Sequence, residues 1–391
     1  MPSDSPLSRR EFSKLVALAA AGSALPDDTL RSVRAGVSAL DAWPRYNDAM
    51  VIDMLAAAGP FNVPGTFDKP LSPAMVENVR RSGITAVNST VSEITTADRA
   101  FELTIRNIAA WDYELEHHPD VFALVRRLAD IRAAKTERKL GVILGFQDTL
   151  AYADKIERVE LFHRLGVRIV QLTYNSSNLV GDGCLVPNDA GLKPYGRDVL
   201  AKLNELGSLI DVSHVGWETT RQAIVASRAS VAATHTGAAA ITNVPRNKPD
   251  DILRAIAQRG GVVGIFMMPF LRAGGQPNAD DFLRHLTHCL NICGEDHVGI
   301  GSDLSITPLE LTPEYRQLVA ETIQSRRARG ISAPGEDENT FPYVPDFNTA
   351  RRLEQVADRL ASAGHSSARI EKIIGGNWLR LLSEVWTNHK G

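Results

Sequence analysis

The 391-residue chain contains only three cysteines, Cys184, Cys289 and Cys293. An odd count leaves at least one of them without an intramolecular partner, and no Cys-x-x-Cys pair suggests zinc. Cys289 and Cys293 lie four positions apart on an expected helix, where disulfide geometry is poor, so they read as small core residues. No apolar run reaches the roughly 20 residues that span a bilayer. Excess charge is also missing: the formal net charge is -3, which leaves no electrostatic footprint for nucleic acid. There is no internal repeat and no low-complexity tract. With 44% hydrophobic and 23% charged residues, the composition is that of an ordinary globular protein. The length suits one large barrel or two smaller domains.

Residues 1–27 read as an export leader. Ser8-Arg9-Arg10-Glu11-Phe12-Ser13-Lys14 precedes the short apolar run 15–21, and Gly22-Ser23-Ala24 offers a small-residue cleavage site. This layout resembles a twin-arginine signal and implies a periplasmic protein; the alternative is a fraying amphipathic helix. A polar, helix-like stretch follows at about Asp27 to Leu40. Residues 28–391 then read as a single domain.

Eight short β-branched runs alternate with longer helical stretches: Met50–Met54, Ile84–Asn88, Leu140–Gln147, Arg168–Tyr174, Ser208–His214, Ser230–His235, Gly261–Met267 and His297–Asp303. Apolar strands alternating with helices imply a parallel sheet buried on both faces. Eight is the number that closes an α/β (β/α)8 TIM-type barrel; periodicity alone leaves an open doubly wound sheet as the alternative. A Pro-punctuated excursion from Ile306 to Phe347 is expected over the barrel mouth or at a dimer contact. Ser366 to Trp386 has the pattern of an amphipathic helix that packs back on the barrel.

Polar residues gather at the C-terminal ends of the expected strands: Gln147, Tyr174, His214, His235 and Asp303. In a parallel barrel that rim holds the active site. Neutral imidazoles at His214 and His235 suit a metal, and Asp303 suits a ligand or a general base. Asp53 on the first strand is a further candidate ligand. Together these four residues could hold one zinc-like ion, or form a hydrogen-bonded polar cluster without metal. Arg246, on a loop after the sixth strand, has a planar fork suited to a carboxylate. Tyr174 and Asn175 could offer hydrogen bonds to a substrate. His117, His118, His285, His288 and His297 read as structural or surface residues.

The segments Gly166–Asn175, Leu209–His214, Ala233–His235, Pro245–Asn247, Asp296–Asp303 and Gly375–Arg380 resemble the membrane dipeptidase family, among the amidohydrolase-type barrels. The likeness runs from about Asp48 to Trp386. It implies a homodimeric hydrolase that cleaves dipeptides with two zinc ions bridged by a glutamate. On that resemblance His214 and His235 would bind one ion, Asp303 would handle the proton, and Arg246 would hold the substrate. The other positions depart from the family. Its first-strand His-x-Asp falls on Leu55 and Ala57, its bridging glutamate on Gln147, and its substrate histidine on Tyr174. Leu and Ala cannot bind zinc, and a neutral Gln offsets none of the repulsion between two dications. The sequence therefore implies a site with one zinc ion at most, or none, in which Gln147 and Tyr174 join Arg246 and Asn175 as substrate-binding residues. The expected function is a periplasmic hydrolase of dipeptide-like or other small amides. The alternatives are a non-hydrolytic tailoring enzyme acting on a peptide-derived metabolite, or a ligand-binding pseudoenzyme.

Overall fold

A computed structural model describes residues 43–60, 67–338 and 340–386. The leader and the helix expected at Asp27–Leu40 lie outside these residues. Eight parallel strands form the wall: β1 (Ile52–Asp53), β2 (Ala86–Thr90), β3 (Leu140–Phe146), β4 (Val167–Gln171), β5 (Leu209–Asp211), β6 (Val231–Thr236), β7 (Val263–Ile265) and β8 (Val298–Ile300). Each pairs with the next in parallel register. Closure comes from Met54 N–H donating to Ile300 O at 3.0 Å. A short pair, Leu304–Ser305 beside Ala56–Ala57, continues the seam. The fold is thus the (β/α)8 barrel that the alternating apolar runs imply.

Two details differ from the sequence pattern. The first expected strand is only two residues long, because the Asp53 carboxylate accepts from Leu55 N–H at 3.3 Å and turns the chain before the second short pairing begins. An additional strand, Phe122–Leu124, pairs with the start of β3; three residues carry too little periodicity to be read in advance.

The C-terminal segment closes the other end of the barrel. Trp378, Leu381, Leu382 and Val385 on the helix Asn377–Trp386 pack against Ile52, Ala86, Ile169, Leu209 and Ala232, which lie at or near the starts of their strands. Trp378 donates its indole N–H to Ile300 O at 3.0 Å. A Cβ at Gly299 would stand 2.4 Å from that indole, so only glycine lets it seat. The chemistry-bearing residues are left at the opposite, C-terminal rim. Cys184, Cys289 and Cys293 are buried free thiols, and no described helix is long and apolar enough to cross a membrane.

Candidate active site

His214 follows β5 and His235 lies in β6, at a register irregularity between Ala233 and Thr236. Bulges of this kind re-aim side chains near active sites. Asp211, at the end of β5, orients the His235 imidazole. Its carboxylate accepts from Ser213 N–H (3.0 Å), Ser213 O–H (2.5 Å) and Thr234 N–H (3.0 Å). Thr234 spends its own hydroxyl proton on Asp211 at 2.6 Å, so its oxygen accepts from His235 Nδ1–H at 2.8 Å. His214 Nδ1–H donates to Asn175 Oδ1 at 2.6 Å. Both rings therefore hold their proton on Nδ1, and both buried Nε2 atoms lack a hydrogen-bond partner. The ring centroids are 5.0 Å apart. Burial first, and then the charges of Arg246 and Lys248, hold both histidines well below their ordinary pKa, so both are neutral.

Asp303 follows β8 with its backbone in the left-handed region, φ 61°. Among non-glycine residues Asp tolerates that region comparatively well. Its amide donates to Leu55 O at 2.8 Å, which fixes the turn. Burial pushes its carboxyl up to about 7, against the pull of Arg246 and Arg326. Arg246 is wholly buried and donates to the carbonyls of Ser213 (2.9 Å) and His235 (3.2 Å), while its Nε has no partner. It lies below the ring of Phe266, 5.3 Å from the centroid.

One pocket brings together Tyr174, Asn175, His214, Arg246 and Asp303. Tyr174 stacks on His214 with centroids 4.1 Å apart. Its backbone is pinned by Asp148, which accepts from Tyr174 N–H at 2.7 Å. Asn175 lines the pocket, but its polar atoms are committed to protein: Oδ1 to His214, and Nδ2 to Ile331 O at 2.8 Å. It holds a catalytic-rim imidazole rather than a ligand. Gln147 is not among the pocket-lining residues; its amide donates to Thr90 Oγ1 at 3.0 Å. Asp53 stands at the β1–β8 seam, where Oδ1 accepts from Ser302 N–H at 2.7 Å and Oδ2 has no partner. Burial raises its pKa to about 6.

The Pro-punctuated excursion does cover the mouth. It contains the helix Pro313–Ala328, capped by Thr312, which brings Tyr315, Val319, Ile323 and Arg326 over the pocket. Arg326 grips Glu336 with two hydrogen bonds, at 3.0 and 2.8 Å, and reaches Tyr174 Oη at 3.3 Å. Sequence reasoning missed this pair. The Thr312-Pro313 start and the spacing 315, 319, 322, 323, 326 were the available signal for a helix with one face turned inward. Lys248 was also missed; it is buried behind Arg246, donates to Val215 O, and is lowered to about 7 by burial.

A family model for the membrane dipeptidases, peptidase family M19, matches residues 73–332. The chain belongs to the membrane dipeptidase family. A solved amidohydrolase from Pseudomonas aeruginosa is 32% identical, with a TM-score of 0.74 over 88% of this chain and 98% of that one. A dipeptidase of Claviceps purpurea is 30% identical over 257 residues, 63% of this chain. The match spans only 58% of that relative's length. An uncharacterized protein encoded in the pqqA 5′ region of Klebsiella pneumoniae is 28% identical over 287 residues, covering 70% of this chain and 92% of the relative.

The zinc pair that the family implies does not fit these residues. Zinc sites draw three or four N, S or O ligands from the protein. Two orphaned imidazole nitrogens are present, yet among the described residues no group of three His, Cys, Asp or Glu is placed to hold a metal. Leu55 and Ala57 are buried apolar residues of the seam. The positive charge of Arg246 acts on both histidines, that of Arg326 acts on His214, and Lys248, lowered to about 7, adds a partial charge to both. Such a field opposes a dication and favours an anion.

Proposed function

We propose that this chain hydrolyses the amide bond of dipeptide-like or other small amide substrates bearing a free carboxylate, at a reduced site with one divalent ion at most. The observation that carries the reading is the convergence of Asp303, Arg246, His214 and Tyr174 on one pocket at the C-terminal rim of a dipeptidase-family barrel. Arg246 supplies the buried positive charge for the substrate carboxylate. Ionised Asp303 takes the proton of a water as its oxygen adds to the acyl carbon. It then returns that proton to the leaving nitrogen as the C–N bond breaks, giving a carboxylic acid and an amine. A carboxyl near pKa 7 can serve in both directions at neutral pH. The neutral imidazole of His214, which lines the pocket, offers its Nε2 as an acceptor to the bound substrate or water. The twin-arginine pattern supports a periplasmic location, and the family resemblance supports a homodimer. The test is amine release from a panel of dipeptides and N-acyl amino acids. Turnover by the native chain that Asp303→Asn lowers by about 100-fold or more supports the reading. Turnover unaffected by that change removes Asp303 from the reaction.

A further inference from the structure

The floor and the roof of the pocket differ in origin and in chemistry. The floor comes from strand ends and is polar: Tyr174, Asn175, His214, Arg246 and Asp303. The roof comes from the excursion after the last strand: Leu309, Tyr315, Val319 and Ile323 form an apolar stretch together with Met268 and Phe270, beside the polar Thr322, Thr340 and the Arg326–Glu336 pair. The space between them, counted together with the open solvent at its mouth, is about 870 Å³.

Charge narrows the substrate further. The lining carboxylates are Asp303 and Glu336, and Glu336 is held by the two-pronged grip of Arg326. Arg246 is wholly buried with its Nε unpartnered. A free α-ammonium on the substrate would find only the proton-handling Asp303 to pair with, because Glu336 is already held by Arg326. An acylated nitrogen carries no charge and escapes that cost.

Resting on the amide-hydrolase reading above, we infer that the substrate is an amino acid whose nitrogen carries a bulky apolar acyl group. Its carboxylate lies toward Arg246 and its acyl chain lies under the helix Pro313–Ala328. Hydrolysis adds water across the acyl C–N bond and releases a hydrophobic carboxylic acid and a free amino acid.

Calorimetric titration of the full chain with N-acetyl-, N-propionyl-, N-hexanoyl- and N-decanoylalanine, and with alanylalanine, tests this directly. Affinity rises by about fourfold for each added methylene until the roof is filled. N-propionylalanine, which differs from alanylalanine by the ammonium group, binds at least tenfold tighter. Ile323→Ser and Val319→Phe each reduce the ratio of decanoyl to acetyl affinity by about fivefold or more, in protein whose circular dichroism melt remains cooperative. Affinity that is flat along the acyl series overturns the inference, as does tighter binding of alanylalanine or an affinity ratio unmoved by both variants. Chain-length-dependent binding without hydrolysis of any member overturns the hydrolase reading and leaves the acyl pocket standing. Hydrolysis without chain-length dependence does the reverse.

Discussion

His214 Nδ1–H donates to Asn175 Oδ1 at 2.6 Å, while the amide of the same Asn175 donates to Ile331 O at 2.8 Å. One side chain thus ties an imidazole of the barrel rim to the segment that roofs it. Asn175→Ala leaves a buried Nδ1–H unpaired and the Ile331 carbonyl with only the long contact from Arg326 at 3.4 Å. A loss of about 1–3 kcal/mol in denaturant-derived stability is expected for such a vacancy. Turnover should fall as well, because His214 loses the contact that fixes its tautomer. A variant as stable and as active as the native chain would make the link incidental.

Asp303 gives a pH signature. Its ordinary pKa of 3.8 is raised to about 7 in the folded chain, chiefly by burial. The folded state therefore keeps a proton that the unfolded state releases between those values, and stability falls as pH rises through that window. His214 and His235 are shifted down and act in the opposite sense, adding stability as pH rises through the unfolded histidine value. The difference between native protein and Asp303→Asn isolates the carboxyl. The variant should gain relative stability steadily from about pH 4 to pH 7 and no more beyond. As a base, Asp303 also makes kcat/KM rise through about pH 7, a limb that Asp303→Asn removes. Parallel melting curves across this range would place the carboxyl in solvent.

Arg246→Lys keeps the charge and loses the planar fork that holds the Ser213 and His235 carbonyls. Ligands with a free carboxylate should bind about 1.5–3 kcal/mol more weakly, the size of a charged hydrogen bond. Their carboxamide counterparts should bind nearly as before. Equal weakening of both would mean that Arg246 shapes the strand ends without touching the ligand.

Elemental analysis of protein purified from its own cells should find no more than one zinc per chain. His214→Ala should abolish whatever is bound. Two stoichiometric zinc ions would require ligands other than Leu55, Ala57 and Gln147.

The barrel was legible because parallel strands buried on both faces appear as apolar runs of five to eight residues, with His214, His235 and Asp303 at their ends. The lid was not. Arg326 is one arginine among several on its helix, and its partner Glu336 is ten residues away beyond a turn. Nothing in spacing distinguishes it from a solvated surface charge. Asn175 was legible as a rim residue, yet not as one spent on its neighbours, because sequence does not reveal which atoms are already partnered. The same holds for Asp211, which ends β5 as an ordinary strand carboxylate and orients His235 through Ser213 and Thr234.

The indole of Trp378 seated against Gly299, with Leu381, Leu382 and Val385 beside it, makes the last helix the floor plate of the barrel. A chain still emerging from the ribosome lacks that plate, and the inward residues at the strand starts have nothing to close on. The barrel can be sealed only once this helix, remote in sequence from the strands it covers, has been made.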